Sequence, residues 1–141
     1  MDGFHLTRAQ LDALDNPAEA HRRRGAPFTF DAAGLVKLIN SLKSQTHRWR
    51  SFFNAIQINP NTRFIIVEGI YLHLSLEPWN QMMFDERWFL TCSKTVAVER
   101  LAKRHFEAGV EKSLEDGYRR ATESDMLNAD IILANRVLPC K

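Results

Sequence analysis

RFIIVEG (residues 63–69) sets four consecutive apolar residues before an acid and a glycine. Such a continuous apolar run of strand length is typical of a strand buried on both faces, as in a parallel sheet. ERWFLTC (86–92) and ADIILAN (129–135) predict two further strands. Helical patterns lie between them, over KTVAVERLAKRHFEAG (94–109) and SLEDGYRRATESDML (113–127). Strands that alternate with helices predict an α/β fold, and ligands then bind beyond the carboxyl ends of the strands.

The N-terminal third of the chain predicts three helices. Thr7 is a suitable N-cap for TRAQLDAL, and Pro17 suits the first turn of PAEAHRRR. Asp31 is a suitable cap for DAAGLVKLINSLK, in which the apolar residues recur at helical spacing: Leu35, Leu38, Ile39 and Leu42.

Length and composition predict one domain over residues 1–141. Hydrophobic residues make up 45% and charged residues 26% of the chain, as in ordinary globular proteins. A net charge of +2 does not by itself imply a nucleic-acid or membrane partner, and no apolar run approaches the roughly 18 residues of a membrane span. Cys92 and Cys140 lack a CxxC spacing, which argues against a zinc site or disulfide framework. We expect a cytoplasmic protein that binds neither nucleic acid nor membrane.

Two carboxylates are candidates for chemistry. Glu68 ends a predicted strand, where a carboxylate can bind Mg²⁺ near a phosphate; the alternative is an acid facing solvent or pairing with an arginine. Asp2 could accept a proton from a substrate hydroxyl during phosphoryl transfer. The alternative for Asp2 is an acid at a frayed terminus.

Basic and aromatic residues offer further candidates. HRRRGAP (21–27) could bind an anion, or simply form the solvated basic end of a helix. Arg100 and Arg104 share one helix face and could close over phosphates. The alternative, which is commoner, is an exposed helix face with surface ion pairs such as Glu99–Lys103. Core packing is predicted for five other residues: Val96, Val98, Leu101, Trp79 and Trp88.

The ordered blocks of the chain resemble a known family. MDGFHLTRAQLDAL, PAEAHRRRGAPFTFDAAGLVKLI, FIIVEGIYLHL, VERLAKRHFEAGV and LNADII resemble the uridine kinase, pantothenate kinase and phosphoribulokinase group of P-loop kinases. The resemblance is closest to members with DGFH and RRGAP blocks and covers nearly the whole chain. It implies a P-loop NTPase-type parallel sheet flanked by helices, in a three-layer α/β/α arrangement.

The resemblance implies roles for individual residues. Asp2 matches the general base acting on the acceptor hydroxyl, and Glu68 an acid near Mg²⁺ and the attacking group. Lid residues that reach the phosphates of ATP match Arg100 and Arg104, while Asn128 lies in a block near the nucleotide base. Acceptor-pocket positions match five residues: Phe4, His5, Arg24, Gly25 and Pro27. The implied cofactors are ATP and Mg²⁺.

Three departures from the family pattern qualify this interpretation. The phosphate-binding GxxxxGK[ST] motif does not occur in the sequence, so the usual ATP site cannot form from these residues alone. The segment between Thr46 and Thr62 lacks the family's aromatic–Asp–His motif, and Ser124 stands where asparagine is common. We therefore expect a partial kinase domain, N-terminally truncated, without the Walker A strand and helix.

Two functions remain open from the sequence. The first is an ATP-dependent kinase acting on a hydroxyl of a nucleoside-, pantothenate- or sugar-like acceptor, inactive as this isolated chain. The second is a non-catalytic module that binds a metabolite or another protein. An incomplete sheet would expose an edge, and we expect a homodimer or pairing with another chain through that edge.

Overall fold

The computed structural model describes residues 1–44, 58–59 and 61–138. Six α-helices lie in this part of the chain: α1 (Arg8–Asp12), α2 (Pro17–Arg22), α3 (Ala32–Ser44), α4 (Lys94–Glu107), α5 (Leu114–Arg120) and α6 (Met126–Ala134). Short 3₁₀ turns form at Asp2–Phe4, Pro27–Thr29 and Trp79–Gln81. None of the described helices is long and apolar enough to span a membrane.

The N-terminal helices begin at the predicted caps. Thr7 and Gln10 form a capping box: the Gln10 amide N–H donates to Thr7 Oγ1 at 3.3 Å, and the Thr7 amide N–H to Gln10 Oε1 at 2.8 Å. Pro17 occupies the first turn of α2, and the Gly34 amide donates to Asp31 Oδ1 at 2.8 Å. Thr7 and Asp31 each satisfy a helix N–H that would otherwise lack a partner. In α2 the Glu19 amide donates to Asn16 Oδ1 at 3.2 Å, and Pro17 has no N–H to satisfy. These features confirm the three helix starts.

The core lies between α3 and residues 71–82. The inner face of α3 contributes Leu35, Val36 and Ile39. Phe30, Tyr71 and Trp79 pack as edge-on or tilted aromatic pairs, with ring centroids 5.3–6.1 Å apart. Aromatic pairs in these orientations add to the free energy gained from burial alone. This core anchors the segments that carry the candidate site.

The C-terminal helices form a second packed group. α4 ends at Glu107, and Gly109, two residues later, has a φ of +66°, which confirms the predicted glycine stop. Gly117 of α5 lies so close to α4 that a Cβ atom would come within 2.5 Å of the Ala102 carbonyl oxygen. A π-helical segment, Ala121–Asp125, joins α5 to α6 without a break.

The predicted strand over ADIILAN is wrong. Residues 126–134 form α6, which continues directly from the π-helical segment. A short apolar run does not distinguish a strand from a partly buried helix, and here the upstream helix extends through it.

RFIIVEG and ERWFLTC form neither helix nor strand within the described ranges, where only isolated bridges occur. The predicted layered parallel sheet is therefore not present among these residues.

Trp79 is buried as predicted, whereas Trp88 is 83% exposed and the core prediction for it is wrong. The predicted core residues Val96, Val98 and Leu101 are only partly buried. The departure between Thr46 and Thr62 falls mostly outside the described residues.

Candidate active site

The DGFH block folds back onto the chain that follows the RRGAP block. The Leu6 amide donates to the Thr29 carbonyl at 2.9 Å, and the Asp31 amide to the Phe4 carbonyl at 2.8 Å. This pairing sets the His5 ring against the Phe30 ring, with centroids 4.0 Å apart. The stacking fixes the His5 ring at the edge of the aromatic core.

The RRGAP block forms a tight turn that depends on glycine. Gly25 has a φ of +112°, which residues with a Cβ rarely adopt. Its amide donates to Thr29 Oγ1 at 2.9 Å, and the Thr29 hydroxyl donates to the Ala26 carbonyl at 2.8 Å. The Tyr71 hydroxyl donates to the Gly25 carbonyl at 2.6 Å. Burial raises the pKa of Tyr71, so this phenol remains a hydrogen-bond donor.

His5 lies in a positive electrostatic environment. Burial lowers its pKa, and the charges of Arg24 and the N-terminal ammonium lower it further, while Asp2 opposes the shift. His5 Nδ1 is buried without a hydrogen-bond partner in the described structure. These effects favour the neutral imidazole, and one of its ring nitrogens is left unsatisfied inside the described structure.

The two candidate carboxylates lie on adjoining segments. The Met1 ammonium donates to the Glu68 carbonyl at 2.7 Å, one residue away from Asp2. Met1 also covers Gly69, where a Cβ atom would come within 2.3 Å of Met1 Sδ. Asp2 and Glu68 are both exposed. The described residues contain no group of three or more His, Cys, Asp or Glu side chains placed to hold a metal ion.

Asn128 lies on the opposite side of the RRGAP block. Its side chain is buried and accepts a hydrogen bond from Arg23 Nη2 at 3.0 Å. Close by, His105 Nε2 and Asp125 Oδ2 are 2.6 Å apart. The predicted nucleotide residue thus contacts an arginine of the acceptor-pocket block, and its role toward a nucleotide stays a prediction.

The two predicted lid arginines, Arg100 and Arg104, are exposed on α4. Neither side chain forms an ion pair with another described residue. The DGFH and RRGAP turns, which meet through backbone hydrogen bonds, contain four of the five residues predicted for an acceptor pocket: Phe4, His5, Arg24 and Gly25. Pro27 faces an open, largely apolar groove of about 450 Å³ that also borders Phe30 and Trp79.

The sequence reasoning missed Tyr71, Arg23 and the His105–Asp125 pair. Arg23 stands in a run of three arginines, and nothing in the sequence distinguishes it from its neighbours. Tyr71 is the second residue after the VEG motif, but its hydrogen bond to Gly25 joins residues 46 positions apart in the chain. Such long-range contacts leave no signal in local spacing.

Comparisons with known proteins show the family of this chain. It is 41% identical to the ATP-dependent kinase-like protein notR′ of Aspergillus versicolor, in a match that covers 97% of this chain and 89% of that protein. This chain belongs to the ATP-dependent kinase-like proteins. It is also 35% identical to a candidate uridine kinase of Schizosaccharomyces pombe, with 99% of this chain and 65% of the relative covered. No protein-family model matches the chain.

Two solved structures resemble this kinase-like fold. A candidate fructose transport system kinase from Silicibacter sp. TM1040 matches with a TM-score of 0.82 and 29% identity, over 99% of this chain and 70% of that one. YFH7 from Saccharomyces cerevisiae, described as a P-loop containing kinase with a circular permutation, matches with a TM-score of 0.78 and 26% identity. The match covers 98% of this chain and 54% of YFH7. These matches support the predicted P-loop NTPase-type fold.

The residues of this chain do not by themselves fit ATP. A P-loop holds phosphates with consecutive backbone N–H groups, a lysine and a hydroxyl that binds Mg²⁺. The GxxxxGK[ST] motif is absent from the 141 residues, and the described residues contain no group of three or more His, Cys, Asp or Glu side chains that could hold a metal ion. The blocks that the family resemblance assigns to an acceptor pocket are therefore present in this sequence, whereas the phosphate-binding motif is not.

Proposed function

We propose that this chain is the acceptor-binding part of an ATP-dependent small-molecule kinase. The observation that carries the proposal is the meeting of the DGFH and RRGAP turns, through the Leu6–Thr29 and Phe4–Asp31 backbone bonds. The names of the relatives support the kinase activity. The acceptor group is a hydroxyl of a nucleoside-, pantothenate- or sugar-like molecule. The protein acts in the cytoplasm, and its fold is a layered α/β sheet completed by further strands.

In this proposal Asp2 accepts the proton of the acceptor hydroxyl. Its exposed carboxylate lies at the start of the DGFH turn, where a ligand has access to it. His5 is held in place by its stacking on Phe30 and borders the acceptor. Arg24 adds a positive charge on the same side and favours acceptors with an anionic group. The family resemblance implies that Glu68, Arg100 and Arg104 would lie beside ATP and Mg²⁺, and ATP would supply the phosphate.

Acceptor binding by the isolated chain tests the first half of this proposal. Isothermal titration with uridine, pantothenate and fructose should give saturable binding for one of the three classes. Arg24→Gln and His5→Gln should weaken that binding about tenfold or more, while Lys37→Gln, at an exposed position of α3, should not change it. An absence of binding for all three classes would contradict the proposed acceptors.

Replacement of the base tests the second half. In a form that turns over ATP, Asp2→Asn should lower turnover by orders of magnitude and leave ATP binding nearly unchanged, because only the proton acceptor is lost. Unchanged turnover would remove Asp2 from the mechanism.

A non-catalytic role is the second candidate function. It is favoured by the lack of a GxxxxGK[ST] motif in a chain that retains the acceptor-pocket blocks. Such a protein would bind a metabolite without phosphorylating it. Micromolar binding of ATP and Mg²⁺ by the chain alone would exclude this second role.

A further inference from the structure

The groove beside Pro27, which we call the side groove, lies between residues 74–79 and the start of α3 with the residues just before it. Its volume of about 450 Å³ is within the range of small-molecule sites in proteins. Three of its lining residues are buried and apolar: Phe30, Leu74 and Trp79. Phe28 and Leu76 also line it and are 51% and 44% exposed. The groove therefore presents an apolar surface that a ligand can cover.

Backbone hydrogen bonds hold both sides of the side groove. On one side the Asp31 amide donates to the Phe4 carbonyl at 2.8 Å. On the other side the Asn80 amide donates to the Leu76 carbonyl at 3.1 Å. Since these bonds form without a ligand, the groove is already shaped when a ligand arrives, which reduces the entropy lost on binding.

The charged side chains that line the side groove are both acidic. They are Asp31, at the start of α3, and Glu77. No lysine, arginine or histidine is among the described lining residues. Neither carboxylate forms an ion pair with a residue of the described ranges. Two carboxylates without a counter-charge beside an apolar surface favour a cation and disfavour an anion.

The Asp31 carboxylate is held in one place by α3. Its Oδ1 accepts the Gly34 amide N–H at 2.8 Å as the helix cap. A Cβ atom at position 34 would collide with Asp31 Oδ2, so glycine leaves room for the second oxygen. A carboxylate can accept more than one hydrogen bond, and Asp31 can therefore receive an ammonium N–H while it caps α3.

We infer that the side groove binds a small molecule in which an apolar ring carries a protonated amine. The ring covers Phe28 and Leu76, and the ammonium group is neutralised by Asp31 and Glu77. Of the residues predicted for an acceptor pocket, only Pro27 lines this groove. The inference needs no phosphoryl transfer, since it concerns what the groove binds.

Three probes that share one ring system test the charge preference: 2-naphthylmethylamine, the neutral 2-naphthylmethanol and the anionic 2-naphthylacetate. In isothermal titration of the full chain at neutral pH, the amine should have a dissociation constant about tenfold or more below that of the acetate, with the alcohol between them. Methylamine, which lacks the ring, should bind about tenfold or more weakly than the naphthyl amine. Equal affinity for the three naphthyl probes, or no binding of the amine, would overturn the inference.

Removal of the two charges locates the contact. In the double variant Asp31→Asn with Glu77→Gln, the amine should lose its preference over the acetate, while the affinity for the alcohol should stay within about twofold of the wild type. Asparagine caps a helix as well as aspartate does, so α3 keeps its start. The matched control is Glu99→Gln with Glu115→Gln, two exposed acids outside the groove, and it should keep the preference. A preference that persists in the first double variant, or that is lost equally in the control, would overturn the inference.

Truncation of one lining residue tests the apolar contact. Phe28→Ala should weaken the amine and the alcohol alike, by about threefold or more, because apolar surface is lost from the groove. Phe28 is half-exposed, and circular dichroism should show that the variant folds like the wild type. Unchanged affinity for both probes in the folded variant would show that they bind elsewhere, which contradicts the inference.

The outcomes for the side groove and for the proposed kinase function can be told apart. Amine binding with the expected charge preference, but without binding of uridine, pantothenate or fructose, would contradict the proposed acceptors and leave this inference standing. Binding of one of those acceptors without binding of the naphthyl amine would overturn this inference alone.

Discussion

Two apolar stretches that lie close together in the chain, residues 64–66 and 71–74, differ in burial. Residues 64–66 are exposed, whereas Tyr71–Leu74 are 0–7% exposed and lie in the core. The second stretch packs on α3 and bonds to the C-terminal segment, with the Val137 amide donating to the His73 carbonyl at 2.7 Å. The first stretch has no such partner among the described residues. Apolar character alone therefore does not decide burial; the presence of a facing element does.

Leucine truncation on the two kinds of surface should give the largest difference. Leu74 is 1% exposed and Leu90 is 93% exposed, so the same substitution can be compared directly. Leu74→Ala should lower the free energy of unfolding by about 2–5 kcal/mol, because it leaves a cavity in the core. Leu90→Ala should change it by less than about 0.5 kcal/mol. Urea unfolding followed by circular dichroism measures both, and equal losses would show that Leu90 is covered in the isolated chain.

Removal of one hydroxyl should have an intermediate effect. Tyr71→Phe keeps the buried ring but deletes the bond to the Gly25 carbonyl, at an expected cost of about 1–2 kcal/mol in unfolding free energy. Tyr118→Phe is the control, because Tyr118 is 41% exposed on α5. A similar cost for both variants would contradict a specific role of the Tyr71–Gly25 bond in fixing the RRGAP turn.

The smallest expected effect concerns pH. His5 has a folded pKa below its ordinary value of 6.5, so the unfolded chain takes up a proton more readily than the folded chain. His5 therefore reduces stability as pH falls through about 6.5 toward the folded pKa. Urea midpoints of the wild type should fall between pH 7.5 and 5.5 more steeply than those of His5→Gln. Arg24→Gln should give an intermediate slope, since it removes one cause of the shift; identical slopes in all three proteins would contradict the assignment.

The sequence predicted the local features of the fold and missed those that depend on distant partners. Caps such as Thr7 and Asp31 and the stop at Gly109 act within four residues of chain, so spacing alone revealed them. The strand prediction for ADIILAN failed because a continuing helix upstream outweighs the local apolar pattern. The strand predicted for RFIIVEG is not formed among the described residues, because a strand needs a paired neighbour that these residues do not contain.

The same difference between local and distant contacts decided which residues of the candidate site were predicted. The DGFH and RRGAP residues were predicted from blocks of contiguous sequence, and the structure places these blocks together. Tyr71 and Arg23 were missed because their contacts, with Gly25 and Asn128, join residues 46 and 105 positions apart. The predicted roles of Glu68, Arg100 and Arg104 depend on a bound nucleotide and stay predictions.

The π-helical segment Ala121–Asp125 determines which way α6 faces. Each residue of a helix turns the chain by about 100°, so a segment with one residue more than a regular turn rotates everything that follows it. Asp125 and Asn128 meet His105 and Arg23 in this orientation. Loss of a single residue from this segment would turn Asn128 away from Arg23 while leaving α6 helical. A one-residue deletion in a homologue would therefore uncouple the C-terminal helices from the RRGAP turn without an obvious change in secondary structure.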